Sequence, residues 1–244
     1  MKKCATERRR VYSLRQWLRV LPNLFLALLL ASCDDFPRDP DHTLEKVRNG
    51  ELRVGMRESE PWAMRNNKVM SGVEVALVQE LARRLNAKIR WVTPGPAPIE
   101  FFDALYRGQL DLVIGGLTQD NPWSRRVTFT RPYINSSTVI AASKWQLTSV
   151  AGESVLVSRV FPHMQTLKDL GAIPVFEKRG PADPQLQVKP FWALSGNESV
   201  IRTLTEDRHV FALPPGENAW LVHVERFLRS HRDAAWQGLK EATR

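Results

Sequence analysis

The sequence predicts an α/β fold built on a mostly parallel sheet, and three observations predict it. Strand-length segments at 52–56, which alternates apolar and polar, at 88–92 and at the apolar run 110–114 alternate with helically patterned segments at 73–85 and 99–106. Each helical segment meets a stop signal, Asn86 in one case and Arg107-Gly108 in the other. The run at 110–114 breaks abruptly into Gly115-Gly116-Leu117-Thr118 and a polar turn that ends in Pro122-Trp123. Glycines at the carboxyl end of a strand let a ligand approach the backbone, and open sheets collect ligands at that end. The same residues also suit a tight turn with no ligand.

Length and composition allow a real core in one or two domains: 244 residues, of which 43% are apolar. The formal charge of +9 is unevenly placed. Seven Lys and Arg against Glu7 put six of those charges in residues 1–32, leaving three for the rest, so no nucleic-acid partner is expected. The basic segment runs into an apolar core at 20–30, too short to span a bilayer and of signal-peptide length. It ends in Leu30-Ala31-Ser32-Cys33, which resembles the bacterial lipobox; the resemblance implies cleavage before Cys33 and a lipid on its thiol. Asp34 and Asp35 resemble the acidic pair that retains such lipoproteins in the inner membrane. With Cys4 removed and Cys33 acylated, no thiol remains for a disulfide, a redox pair or a metal site.

Taken in order, residues 33–43 are polar with two prolines and read as a tether. A short helix at 44–48 is closed by Asn49-Gly50, and 52–56 is the first strand, with its loop at 57–62. In the helix at 73–85, Leu77, Val78, Leu81, Ala82 and Leu85 fall on one face, with Glu74, Glu80, Arg83 and Arg84 mostly opposite. The strand at 88–92 completes a β-α-β unit. The second helix and the 110–114 strand repeat it, so the loops at 58–62 and 115–123 face one crevice.

Linked motifs at consistent spacing make 51–143 resemble the periplasmic solute-binding proteins that serve polar amino acid ABC importers. They are Leu52-Arg53-Val54-Gly55 with Pro61-Trp62, Gly72-Val73-Glu74-Val75 continuing to Leu85, the stretch from Ala104 to Thr118, and Val127-Thr128-Phe129 with Pro132-Tyr133. The resemblance implies a two-lobe periplasmic-binding-protein-like (type II) fold, joined by two crossing strands that hinge on closure. Residues 134–143 would be the first crossing and 209–213 the return. A C-terminal helix would follow within 214–228, with Trp220, Val224, Phe227 and Leu228 as its apolar stripe. Lobe one is then complete, at 44–143 with 208–244. Lobe two, 144–207, is short for an independent core. In it 155–159 and 171–175 read as strands around a helix at 164–170, and 178–188 as loop.

The chain departs from the family at two places. Amino-acid binders carry a carboxylate-gripping arginine five residues past the threonine of Gly-Gly-Leu-Thr, and here that position is Trp123. Arg125 follows closely and either substitutes for it or is a solvated charge. The family's Gly-x-x-Asp-Ala segment, whose aspartate meets an ammonium group, is absent between 145 and 207. Trp62 either stacks on a ligand or packs internally, and Glu58 either meets a cationic ligand or is a solvated acid. The expected ligand-binding set is therefore Glu58, Trp62, Gly116, Leu117, Thr118, Trp123 and Arg125.

No catalytic residue, metal or cofactor is expected. The five histidines lack ligand spacing, and neither a Gly-x-Ser-x-Gly elbow nor a phosphate loop occurs. The expectation is a lipid-anchored periplasmic monomer that binds a small, amino acid-like solute and hands it to an ABC permease. The rivals are an enzyme on the same scaffold, of cyclohexadienyl dehydratase type with Glu58 as its acid, and a sensor or assembly module that does not transport.

Overall fold

A computed structural model describes residues 38–67, 69–93, 95, 97–120, 125–143, 149–157, 164–176 and 185–242. Cys33 with its lipobox and Trp123 lie outside these residues. The first sheet is built as the alternation predicts. Strand β1 (Glu51–Met56) runs parallel to β4 (Lys88–Val92) on one side and to β5 (Leu112–Ile114) on the other. Strands β12 (Ala212–Leu213) and β6 (Thr128–Phe129) extend the sheet antiparallel, giving the order β4-β1-β5-β12-β6. A small hairpin of β2 (Met64–Asn66) and β3 (Val69–Ser71) precedes the first long helix.

Helices cover both faces of this sheet because the strands are apolar on both. On one face, α2 (Val73–Arg84) packs with the C-terminal helices α5 (Asn218–Ser230) and α6 (Arg232–Glu241) around Leu52, Val54, Leu112 and Ile114. The predicted stripe of Trp220, Val224, Phe227 and Leu228 is buried in this core. On the other face, α3 (Pro98–Tyr106) closes a smaller core with Leu110, Val113 and Val210. Trp220 is fully buried and its indole Nε1 donates to the Asp111 carbonyl at 2.8 Å. Asp111 in turn accepts from Arg53 Nε at 3.0 Å. Replacing Trp220 by phenylalanine leaves that carbonyl unpaired, and urea unfolding is expected to show a loss of about 1.5 kcal/mol beyond the change in volume.

The second sheet has the order β11-β7-β10-β8-β9. It comprises β7 (Ile134–Ala142), β8 (Ser154–Val157), β9 (Ile173–Phe176), β10 (Leu186–Pro190) and β11 (Ser199–His209), with the short helix α4 (Met164–Asp169) between β8 and β9. Its core is small, formed by Ile140, Ala142, Val155, Val157, Leu167 and Leu186 among others. Strands β7 and β11 are the two crossings. They pair antiparallel from Ser199↔Ala142 to His209↔Ile134, with Ile134 in the first core and Ile140 in the second. The molecule is thus a two-lobe periplasmic-binding-protein-like fold.

Three local readings are corrected. The return crossing begins at Ser199 rather than His209, because β11 zips along the whole length of β7 before the chain enters the first sheet as β12. Residues 186–188, read as loop, start β10: Leu186 and Val188 pack on the second core while Gln187 and Lys189 alternate with them. The end of the expected tether is pinned: Glu217 accepts from the Asp41 and Thr43 amides at 2.9 and 3.1 Å, and Asp39 accepts from Leu44 N at 2.9 Å. The helix that follows, α1 (Thr43–Val47), buries Val47 in the first core.

Candidate functional site

The site is organised by a carboxylate that sequence patterning places on the solvent side of α2. Glu74 is fully buried instead. It lies in the first turn of α2, whose Val73 and Glu74 amides donate to the Pro61 and Trp62 carbonyls at 3.1 and 2.9 Å. The helix start is thereby tied to the loop after β1. Gly72, at φ +116°, makes this approach possible, since a Cβ there would lie 2.5 Å from the Trp62 carbonyl oxygen. From that position the Glu74 carboxylate accepts from the Gly115 and Gly116 amides at 2.6 and 3.0 Å and from the Tyr133 hydroxyl at 2.7 Å. Burial pushes the Glu74 carboxyl above its ordinary value, and the three donors together with Arg57 offset part of that rise. Burial, then the nearby Glu74, raises the Tyr133 phenol, so Tyr133 stays a donor.

The turn after β5 is held from the other side by Arg57, whose amide donates to the Ile114 carbonyl at 3.0 Å and whose guanidinium Nη2 donates to the Gly115 carbonyl at 2.9 Å. Gly116, at φ +64°, faces the Trp62 ring, and a Cβ there would stand 2.6 Å from Trp62 Cδ1. Leu117 is buried. Thr118 forms a bridge with His209, flanked by Val210 N donating to the Leu117 carbonyl and Gln119 N to the Arg208 carbonyl, both at 2.9 Å. The glycine turn and the end of the return crossing are thus one unit.

Trp62 is only 5% exposed. Its ring lies 3.9 Å from that of His209, tilted by 31°, and Trp192 meets it edge-on at 5.6 Å. Trp192 comes from a single 3₁₀ turn, Phe191–Ala193, which connects β10 to β11. His209 is 5% exposed; its Nε2 is 2.7 Å from Ser136 Oγ on β7, while its Nδ1 has no partner among the described residues. Beside Ser136 a polar pocket of about 300 Å³ opens along the crossing ribbon, lined by Asn135, Ser137, Thr203, Glu206 and Arg208.

Burial lowers the His209 imidazole to about 4. The unfolded imidazole takes its proton near 6.5, whereas the folded one resists until about 4, so the unfolded state binds more protons across that window. Stability is therefore complete above pH 6.5 and falls as pH drops toward 4, by up to about 3 kcal/mol from this group. Urea unfolding across this window is expected to show a shallower decline in His209→Gln than in the parent chain.

Of the other residues singled out from sequence, Glu58 has a 62% exposed side chain 3.6 Å from Arg65 Nε, and Arg125 is exposed. The structure therefore gathers Trp62, Gly116, Leu117 and Thr118, and it leaves Glu58 and Arg125 in solvent. Sequence reasoning missed Glu74, Ser136, Trp192 and His209. The available signal for His209 was its place at the head of the apolar run Val210-Phe211-Ala212-Leu213, where a polar ring is forced inward. Among the described residues no three His, Cys, Asp or Glu side chains are grouped to hold a metal, and no helix is long and apolar enough to cross a membrane.

Comparison with known proteins agrees with this architecture. Membrane-bound lytic murein transglycosylase F 1 of Alkalilimnicola ehrlichii is 37% identical over 99 residues, which is 39% of this chain and 20% of that protein, so the chain spans only a small part of that relative's length. An ancestral cationic amino acid solute-binding protein superposes with a TM-score of 0.64 at 19% identity, covering 82% of this chain and 97% of the other. The unliganded, open L-cystine solute receptor of Neisseria gonorrhoeae gives 0.61 at 14% identity, covering 79% and 91%. The pattern that defines bacterial extracellular solute-binding proteins, family 3, matches residues 52–241, the span that holds both sheets, both crossings and the C-terminal helices; the chain belongs to that family.

Proposed function

We propose that this chain binds a small polar solute, amino acid-like or related, between its lobes and passes it to an ABC importer as a periplasmic monomer anchored through Cys33. The observation that carries the reading is the Trp62–His209 stack over Gly116, at the point where the end of β11 bridges Thr118 after the glycine turn. An aromatic ring, a Ser136 hydroxyl and an imidazole nitrogen without a partner among the described residues form a small polar-aromatic cluster, and a bound solute would supply a hydrogen bond to that nitrogen. The proposed contact set is Trp62, Gly116, Leu117, Thr118, Glu58 and Arg125, together with Trp123, which lies outside the described residues. Asp34 and Asp35 favour the inner membrane. The role is binding rather than catalysis: the exposed Glu58 sits beside Arg65, and Glu74 is fully buried and already accepts from two amides and a hydroxyl.

A second reading, a sensor or assembly module without transport, has its own support. Trp192 covers Trp62, and Glu74 takes the Gly115 and Gly116 amides, so side chains of the protein fill space that a solute would use. The partial similarity to a murein transglycosylase is compatible with a family domain serving a cell-wall enzyme. A thermal-shift screen of the chain from residue 34 against amino acids, amines and organic acids separates the two. A solute at about ten times its dissociation constant stabilises the folded form by about 1.4 kcal/mol, a resolvable rise in Tm. If no compound shifts the transition at millimolar concentration, the importer reading fails and the module reading stands.

A further inference from the structure

We infer that a second site, separate from the solute cleft, binds a phosphate-bearing ligand at the corner between α5 and α6. A pocket of about 470 Å³ is lined there by Arg131, Arg226, Arg229 and Arg232, with Glu225 as the one acid in its lining. Glu225 is already engaged, accepting from the Arg131 amide at 2.8 Å with its other oxygen 3.9 Å from Arg131 Nε. Arg232 spends one Nη2 contact, at 3.3 Å, on the Pro132 carbonyl. Arg226 and Arg229 are exposed and have no hydrogen bond or ion pair among the described residues. The lining carries a net charge of three, as large as the whole excess left to the chain beyond residue 32, so charges over the rest of the body cancel.

Helix electrostatics accounts for only part of this cluster. Arg229 sits in the last turn of α5, where a cation complements the helix dipole. Arg232, in contrast, opens α6, where a cation is disfavoured, and the preceding His231 provides no side-chain cap for the helix amides. Four arginines lining one concavity, beside the start of a ten-residue helix that has no side-chain cap, match an anion. A lone carboxylate offers two oxygens and satisfies a single guanidinium fork. A phosphoryl group offers more acceptors in more directions and more charge, so it fits several guanidinium groups at once. The phosphoryl group belongs either to a soluble phosphate or to the headgroup of an anionic lipid.

The test uses the full chain in neutral detergent, titrated separately with inorganic pyrophosphate, dihexanoyl phosphatidylglycerol and, as a zwitterionic control, dihexanoyl phosphatidylcholine. The expected result is saturable binding of pyrophosphate or of the glycerol lipid, weaker at high salt and weakened about tenfold or more in Arg226→Glu/Arg229→Glu. Binding of pyrophosphate alone identifies a soluble ligand; preference for phosphatidylglycerol over both of the others identifies a lipid headgroup. Both side chains are exposed, so the double variant should melt within about 3 °C of the parent, and Arg226→Gln/Arg229→Gln serves if it does not. Binding of neither anion, or binding undiminished in a folded variant, overturns the proposal.

Discussion

Glu74→Ala is expected to cost about 4 kcal/mol of stability, the larger part of what a domain of this size has to lose. The substitution leaves the Gly115 and Gly116 amides and the Tyr133 hydroxyl without their shared acceptor, with Gly115 and Tyr133 buried and Gly116 half-buried. The loss is more than a sum of bonds. Glu74 fastens the start of α2 to the turn after β5 and, through Tyr133, to the start of the first crossing, so removing it loosens three segments that meet beside Trp62. Urea unfolding of Glu74→Ala and of Tyr133→Phe resolves the components, with Tyr133→Phe expected to lose only about 1 kcal/mol because the two amides keep their acceptor.

Trp62→Ala is expected to act on both stability and binding. Emptying a side chain that is 5% exposed should cost about 4 kcal/mol in a calorimetric or urea measurement. It also strips the face from His209 and the edge contact from Trp192, leaving the imidazole in a wetted cavity. The penalty for charging His209 then shrinks, so the decline of stability below pH 6.5 should be shallower in Trp62→Ala than in the parent. Trp62→Phe, which keeps an aromatic face, should recover most of the stability.

How much of this was legible in the sequence follows from the range over which each contact acts. The β-α-β order is a local pattern, repeated every two or every three to four residues, and appears where periodicity puts it, while the crossing at β7 and the stripe of α5 stand where the family resemblance implied them. Strand β10 was hidden because prolines dominate its approach and only Leu186 and Val188 carry its alternation. The site was half legible. Trp62 and the Gly115-Gly116 turn announce themselves, since a tryptophan after a proline and paired glycines after an apolar strand are unusual in themselves. Glu74 does not, because an acid in the first turn of a helix ordinarily complements the dipole in solvent, and its partners lie 41, 42 and 59 residues away. His209 reaches Trp62 because β11 follows β7 back to the first sheet, and Trp192 because β10 runs antiparallel along β7 as far as Pro190↔Thr138, long-range pairings that no local pattern encodes.

The central claim is that the cluster around Trp62 and the Gly116–Thr118 turn is a solute site. Calorimetric titration of a solute found by thermal shift, into the parent chain and into Trp62→Phe and Ser136→Ala, tests it most directly. The account predicts saturable one-to-one binding to the parent, weakened about tenfold or more by either substitution while the variants remain folded. Undiminished affinity in both folded variants would contradict it and move the site elsewhere on the chain.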